Sequence, residues 1–197
     1  MKLTDKDLRT LISYINISRG NDSYFEWKQQ STQSYVLDIN AIRKNETEEV
    51  FFHIEKNELK IVYIRKNKMV YTISTAHNLQ YQILEALLDQ ICEKFNETFD
   101  LEIIFSFENV SPNSFKYFEK VLDDLLVNFF SLDLINKIDI FCKICNKLLP
   151  LYIKKKVIEE SNNFPVPIIY RHAGHSLICF IDKSFTLRGV KDVVHTG

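Results

Sequence analysis

The chain has 197 residues, 46% of them apolar, with 15 Phe and 9 Tyr against only 4 Gly and 4 Pro; this supplies one large core or two small ones and excludes a loop-dominated or disordered protein. A formal charge of −1 provides no broad basic field, so nucleic acid is not an expected partner. No two glycines lie within six residues of each other and no Gly-x-Ser-x-Gly elbow is present, which removes the common nucleotide-binding loops and the hydrolase nucleophile turn.

No basic segment followed by an apolar run opens the sequence, and no run of 18 apolar residues occurs, so neither a secretory signal nor a membrane span is expected. The expected location is cytoplasmic, where a Cys-x-x-Cys pair reads as a metal or redox motif rather than a structural disulfide.

Taken in chain order, Thr4 is placed to cap a helix whose apolar face is Leu8, Leu11, Ile12 and Ile15, with Gly20 as its stop. Residues 21–33 are polar and read as loop, part of it extended around Phe25 and Trp27. Four strands are expected next, SYVLDINAI (34–42), VFFHI (50–54), LKIVYI (59–64) and MVYTIS (69–74). The last three are joined by turns centred on Asn57 and Asn67, and Asn tolerates the left-handed backbone that tight hairpins need. The period then changes. Tyr81, Leu84, Leu88, Ile91, Phe95 and Phe99, with Ile83, Leu87 and Cys92 alongside, make a wide helical stripe suited to lying across a sheet.

LEIIFSF (101–107) reads as a strand or a tail on the core. Ser111-Pro112 is a cap and first-turn proline that opens an amphipathic helix over 113–130. A third helical stretch is expected over Leu132–Ile140. LYIKKKVIEES reads as a short helix, FPVPIIY as an extended segment, and SLICFIDKSFTLRGV as a hairpin turning at Asp182-Lys183-Ser184, with order ending at Arg188-Gly189.

Two of the four cysteines stand in FCKICNKLLP, and RHAGH lies downstream, giving Cys142-x2-Cys145-x26-His172-x2-His175. Two sulfurs and two imidazoles in closely spaced pairs suit tetrahedral zinc, and four protein ligands close the shell, so the site is expected to be structural. Asn146 fits the left-handed position after the second cysteine, and Gly174 permits a tight turn between the histidines. The gap of 26 residues exceeds the finger spacing of about 12–15. The competing readings are buried apolar cysteines beside surface histidines, and a thioredoxin-type dithiol, which lacks the usual strand-to-helix setting. Asp182 and His195 are substitutes for one ligand. Lys154-Lys155-Lys156 reads as a solvated helix face offset by Glu159 and Glu160, His53 as an ordinary sheet residue and His77 as a neighbour of a helix cap. Cys92 and Cys179 read as core packing.

The initial helix, the meander and the helix in KMVYTISTAHNLQYQILEALLDQICEKFNETF resemble the longin and roadblock group of small α/β domains. In longin domains a central strand is likewise followed by a helix with paired aliphatics ending near a Lys-Phe, but two strands precede the first helix. The expected opening helix is closer to roadblock proteins. CKICNKLLP is similar to the knuckle of zinc ribbons and rubredoxin-like modules.

The resemblance implies a fold of the α/β (α+β) class: an antiparallel meander flanked by helices in residues 1–130, and a small zinc-binding α+β module in 131–197. It implies no catalytic residues. The implied function is an adaptor of the vesicle-trafficking kind that binds a small GTPase or a longin-like or SNARE-like partner through a sheet edge or the long helix. Membrane association would then be peripheral and through that partner, and self-pairing as a homodimer is a further expectation. A zinc-dependent nucleic-acid-binding or translation-associated module, and a metalloenzyme with an open coordination position near Asp182, are the rival readings.

Overall fold

The computed structural model describes residues 7–29, 47–56, 59–76, 79–107, 109–172 and 174–193, and for His175 the backbone alone. The expected strand over 34–42, the turn residue Asn57, and His77 and His195 fall outside these residues. The protein is mixed α+β with antiparallel sheets, and it divides into two compact units, Met1–Leu132 and Asp133–Gly197.

The first unit departs from the sequence reading at its start. Asp7 caps only one tight turn, Leu8–Thr10, and the chain then enters strand β1 (Tyr14–Arg19), turns through Gly20 at φ 56° and returns as β2 (Asp22–Lys28). The expected helix and the expected polar loop are thus the two strands of a hairpin. The apolar spacing misled because β1 is central: Ile15 and Ile17 are fully buried and so are Asn16 and Ser18, so both faces are covered and no alternation is visible.

The meander is as expected. Strands β3 (Phe51–Lys56), β4 (Leu59–Lys66) and β5 (Met69–Thr75) pair antiparallel, and the sheet order is β2-β1-β5-β4-β3. Asn67 and Lys68 take φ 52° and 63°, the two left-handed residues of a hairpin turn whose twist matches its strands.

Helix α1 (Tyr81–Thr98) buries Ile83, Leu84, Leu87, Leu88, Ile91 and Phe95, the stripe read from the sequence. Phe95 meets Tyr71 of β5 edge-on at 6.0 Å, and Phe118 stands edge-on to Phe95 at 5.0 Å and to Phe25 of β2 at 5.2 Å. Each fully buried ring contributes about 1.5–3 kcal/mol of transfer free energy, and these edge-on pairs add to it. LEIIFSF is a helical turn rather than a strand: α2 (Leu101–Ile104) starts where Asp100 accepts the Ile103 amide at 3.1 Å. Ser111 caps a tight turn, Pro112–Phe115, which leads into α3 (Phe118–Asn128). Trp27 Nε1–H donates to Asp123 at 3.2 Å, tying α3 to β2.

In the second unit, the stretch expected as a helix over Leu132–Ile140 is instead mostly strand β6 (Ile135–Cys142), paired with β7 (Lys147–Lys154). Its residues alternate: Ile140 and Cys142 are buried, while Lys137, Asp139 and Phe141 lie outward or half-way. β-branched residues at period two favour a half-buried strand over a helix. A short helix α4 (Lys155–Glu159) follows, then β8 (Val166–His172), β9 (His175–Ile181) and β10 (Leu187–Val193) in a three-stranded sheet of order β10-β9-β8. β10 runs past Arg188-Gly189, the expected end, because Gly189 sits where the register shifts and the strand resumes pairing beyond it. Ile140, Leu149 and Leu151 from the two-stranded sheet share one core with Ile168, Leu177 and Ile181 from the three-stranded sheet.

Candidate metal centre

Cys142 ends β6, residues 143–146 turn, and Lys147, the register partner of Cys142, begins β7. The motif therefore occupies a hairpin turn between two strands, not a helix. Both thiols are free; Cys142 is fully buried and Cys145 half-buried.

The Cys145 backbone N–H, aided by the Cys145 thiol and the Ile144 amide, holds the Cys142 thiol below its ordinary range. Burial, and the hydrogen bond to Cys142, push the Cys145 thiol up, opposed by the Lys147 amide. Asn146 takes φ 54°, the left-handed conformation expected of the residue after the second cysteine.

The histidines close the neighbouring hairpin. His172 ends β8, His175 begins β9, the two are register partners, and Gly174 between them takes φ 82°. His172 lies on the same face of β8 as the buried Ile168 and Tyr170, since strand side chains alternate. Its ring stacks with that of Tyr170 at 6.1 Å. Tyr170, Cys142 and Cys179 belong to one buried cluster with Cys145 packed against it, and burial raises the Tyr170 phenol first, with Cys145, Cys179 and Cys142 raising it further. Tyr170 thus shares a core with the cysteines and stacks with His172. Among the described residues no group of three or more His, Cys, Asp or Glu side chains is placed to hold a metal; the His175 side chain is not among them.

Asp182 is occupied elsewhere. Its carboxylate accepts the Ser184 amide at 2.8 Å and the Thr186 amide at 2.9 Å, and binds the Arg188 guanidinium. The lysine cluster is less solvated than its sequence suggests. Lys154 is buried at the end of β7, Lys155 reaches Asp133 at 2.5 Å, and Lys156 lies 3.7 Å from Glu160.

Sequence reasoning missed a polar cluster where the first unit's sheet meets α1. His53 of β3 stacks on Tyr81 at 4.2 Å and donates to Glu85 at 2.8 Å, while Tyr81 donates to Glu55 at 2.7 Å. His53 and Glu85 are 32 positions apart, so no local spacing signals the pair.

No protein-family model and no curated protein matches this chain. Among the described residues no helix is long and apolar enough to cross a membrane.

Proposed function

We propose that the protein is a non-catalytic adaptor, in which a longin-like first unit binds a small GTPase or a related longin-like or SNARE-like partner and the second unit is stabilised by zinc. The observation that carries the first part is the sheet order β2-β1-β5-β4-β3, with α1 packed on the sheet through Tyr71 and Phe95. Among the described residues β2 and β3 are the edges of that sheet, and a sheet edge is where a partner strand can be added. Two strands, not a helix, open the described sheet. That order favours the longin branch over the roadblock branch.

The same proposal assigns Cys142, Cys145, His172 and His175 to a structural zinc ion. Supporting it are the lowered Cys142 thiol, the left-handed Asn146, and Tyr170, which shares a core with Cys142 and stacks with His172. Bound zinc would cross-link the β6–β7 and β8–β9 turns, and a shell of four protein ligands leaves no position for a substrate.

Two experiments test these parts. Affinity capture from native extract with the full chain is expected to recover a small GTPase or a longin-domain protein. Glu93→Lys/Glu97→Lys on the exposed face of α1 is expected to abolish that recovery; capture of neither class overturns the adaptor reading. Elemental analysis of the purified chain is expected to find one zinc per molecule, reduced in Cys145→Ser and His172→Ala. A metal-free, folded chain whose melting temperature ignores zinc and chelator overturns the metal assignment.

A further inference from the structure

The β6–β7 turn carries a feature that neither the adaptor nor the zinc reading uses. Phe141, Ile144 and Leu148 are 49%, 51% and 66% exposed. They are not scattered: Phe141 and Leu148 are directly opposed in the ladder, so their side chains share one face, and Ile144 lies in the turn that joins the two strands. The opposite face of the same hairpin is already committed, with Ile140, Cys142 and Leu149 buried in the second unit's core.

Along the hairpin itself the charge at this apex has one sign. Lys143 in the turn and Lys147 at the start of β7 are exposed, and no acidic residue occurs between Asp139, which pairs with Lys137 at 3.3 Å, and Glu159; Asp192 of β10 bears on Cys142, on the buried face of the hairpin.

We propose that this turn is a membrane-docking element, inserting Phe141, Ile144 and Leu148 into the interface of an anionic bilayer while Lys143 and Lys147 engage its headgroups. Exposed apolar residues beside cations are the composition that the boundary of an anionic leaflet selects. An acidic peptide is the other occupant with complementary charge, but strand addition would use the backbone edges of β6 and β7 and not the outward side chains of Phe141, Ile144 and Leu148.

The test is vesicle flotation of the full chain. Binding is expected to vesicles of phosphatidylcholine with phosphatidylserine, to weaken with rising salt, and to be absent with phosphatidylcholine alone. Lys143→Ala/Lys147→Ala is expected to weaken binding about fivefold per lysine, and Ile144→Ser about tenfold or more. Phe107→Ser, which removes a 66% exposed ring in the first unit, is expected to change nothing. Far-ultraviolet circular dichroism and the zinc content of each variant separate loss of docking from loss of the fold or of the metal. No binding to the anionic vesicles, equal binding to both kinds, or unchanged binding by the turn variants overturns the proposal. So does a dimer in sedimentation that Ile144→Ser dissolves, or capture of an acidic peptide by this turn without vesicle binding.

Discussion

His53 on the edge strand β3 donates to Glu85 on α1 across 2.8 Å, and Glu85 is nine-tenths buried. The imidazole both meets the carboxylate and stacks on Tyr81, so it holds the sheet edge to the helix. Removing the ring leaves a buried carboxylate without this partner. His53→Ala is therefore expected to lower stability by about 1–3 kcal/mol, whereas replacing both residues with apolar ones of similar shape is expected to be near neutral. Urea unfolding of the full chain, with its midpoint and slope compared across the three proteins, checks this.

Asn146 holds the turn in a left-handed conformation that a β-branched residue adopts poorly. Asn146→Val is expected to cost about 1–2 kcal/mol in the second unit, and Asn146→Gly to be tolerated. Thermal melts of the two variants measure the difference; equal melting temperatures contradict the conformational requirement.

The thiols outside the turn are expected to be inert. Burial pushes Cys179 up to about 11, and burial together with nearby Asp89 raises Cys92 further. Both stay protonated near neutral pH, and the thiolate is the reactive form. A thiol-specific reagent should leave both untouched in the folded protein and modify them only after denaturant is added. Peptide mapping of the modified sites in each state provides the readout.

Acid is expected to loosen the β9–β10 hairpin through Asp182. The Thr186 amide, the Ser184 amide and the Arg188 guanidinium hold its carboxyl below the ordinary value of 3.8. A depressed folded value means the unfolded chain binds the proton more readily. The stabilisation is then complete above the ordinary value and is lost as pH falls through the lower folded one. Asp182→Ala should reduce stability at neutral pH and flatten the acid limb of the stability curve, while Asp182→Asn, which keeps an accepting oxygen for the turn amides, should retain more of the neutral-pH stability. An acid limb identical in wild type and Asp182→Ala contradicts this account.

The sequence alone determined the elements whose periodicity is one-sided. The stripe of α1 was legible because one helix face is buried and the other is wet, and strands β3, β4 and β5 because Asn67 marks a turn that few residues can make. The conformations of Asn146 and Gly174 were legible for the same reason: left-handed backbone restricts residue choice locally. The opening hairpin was not, because β1 is buried on both faces, and Ile15 lies three residues from Ile12, a helical spacing, as well as two from Ile17, an extended one. Nor was β6, where Ile135 and Ile138 are three apart and only packing against the second unit's core selects the period of two. Tertiary structure alone decided what long-range pairing creates: the His53–Glu85 contact, the core that Tyr170 shares with Cys142, and the shared outward face of Phe141 and Leu148. Local backbone preferences are written within a few residues, whereas these contacts depend on chain segments that meet only after the entropy of closing the loop between them is paid.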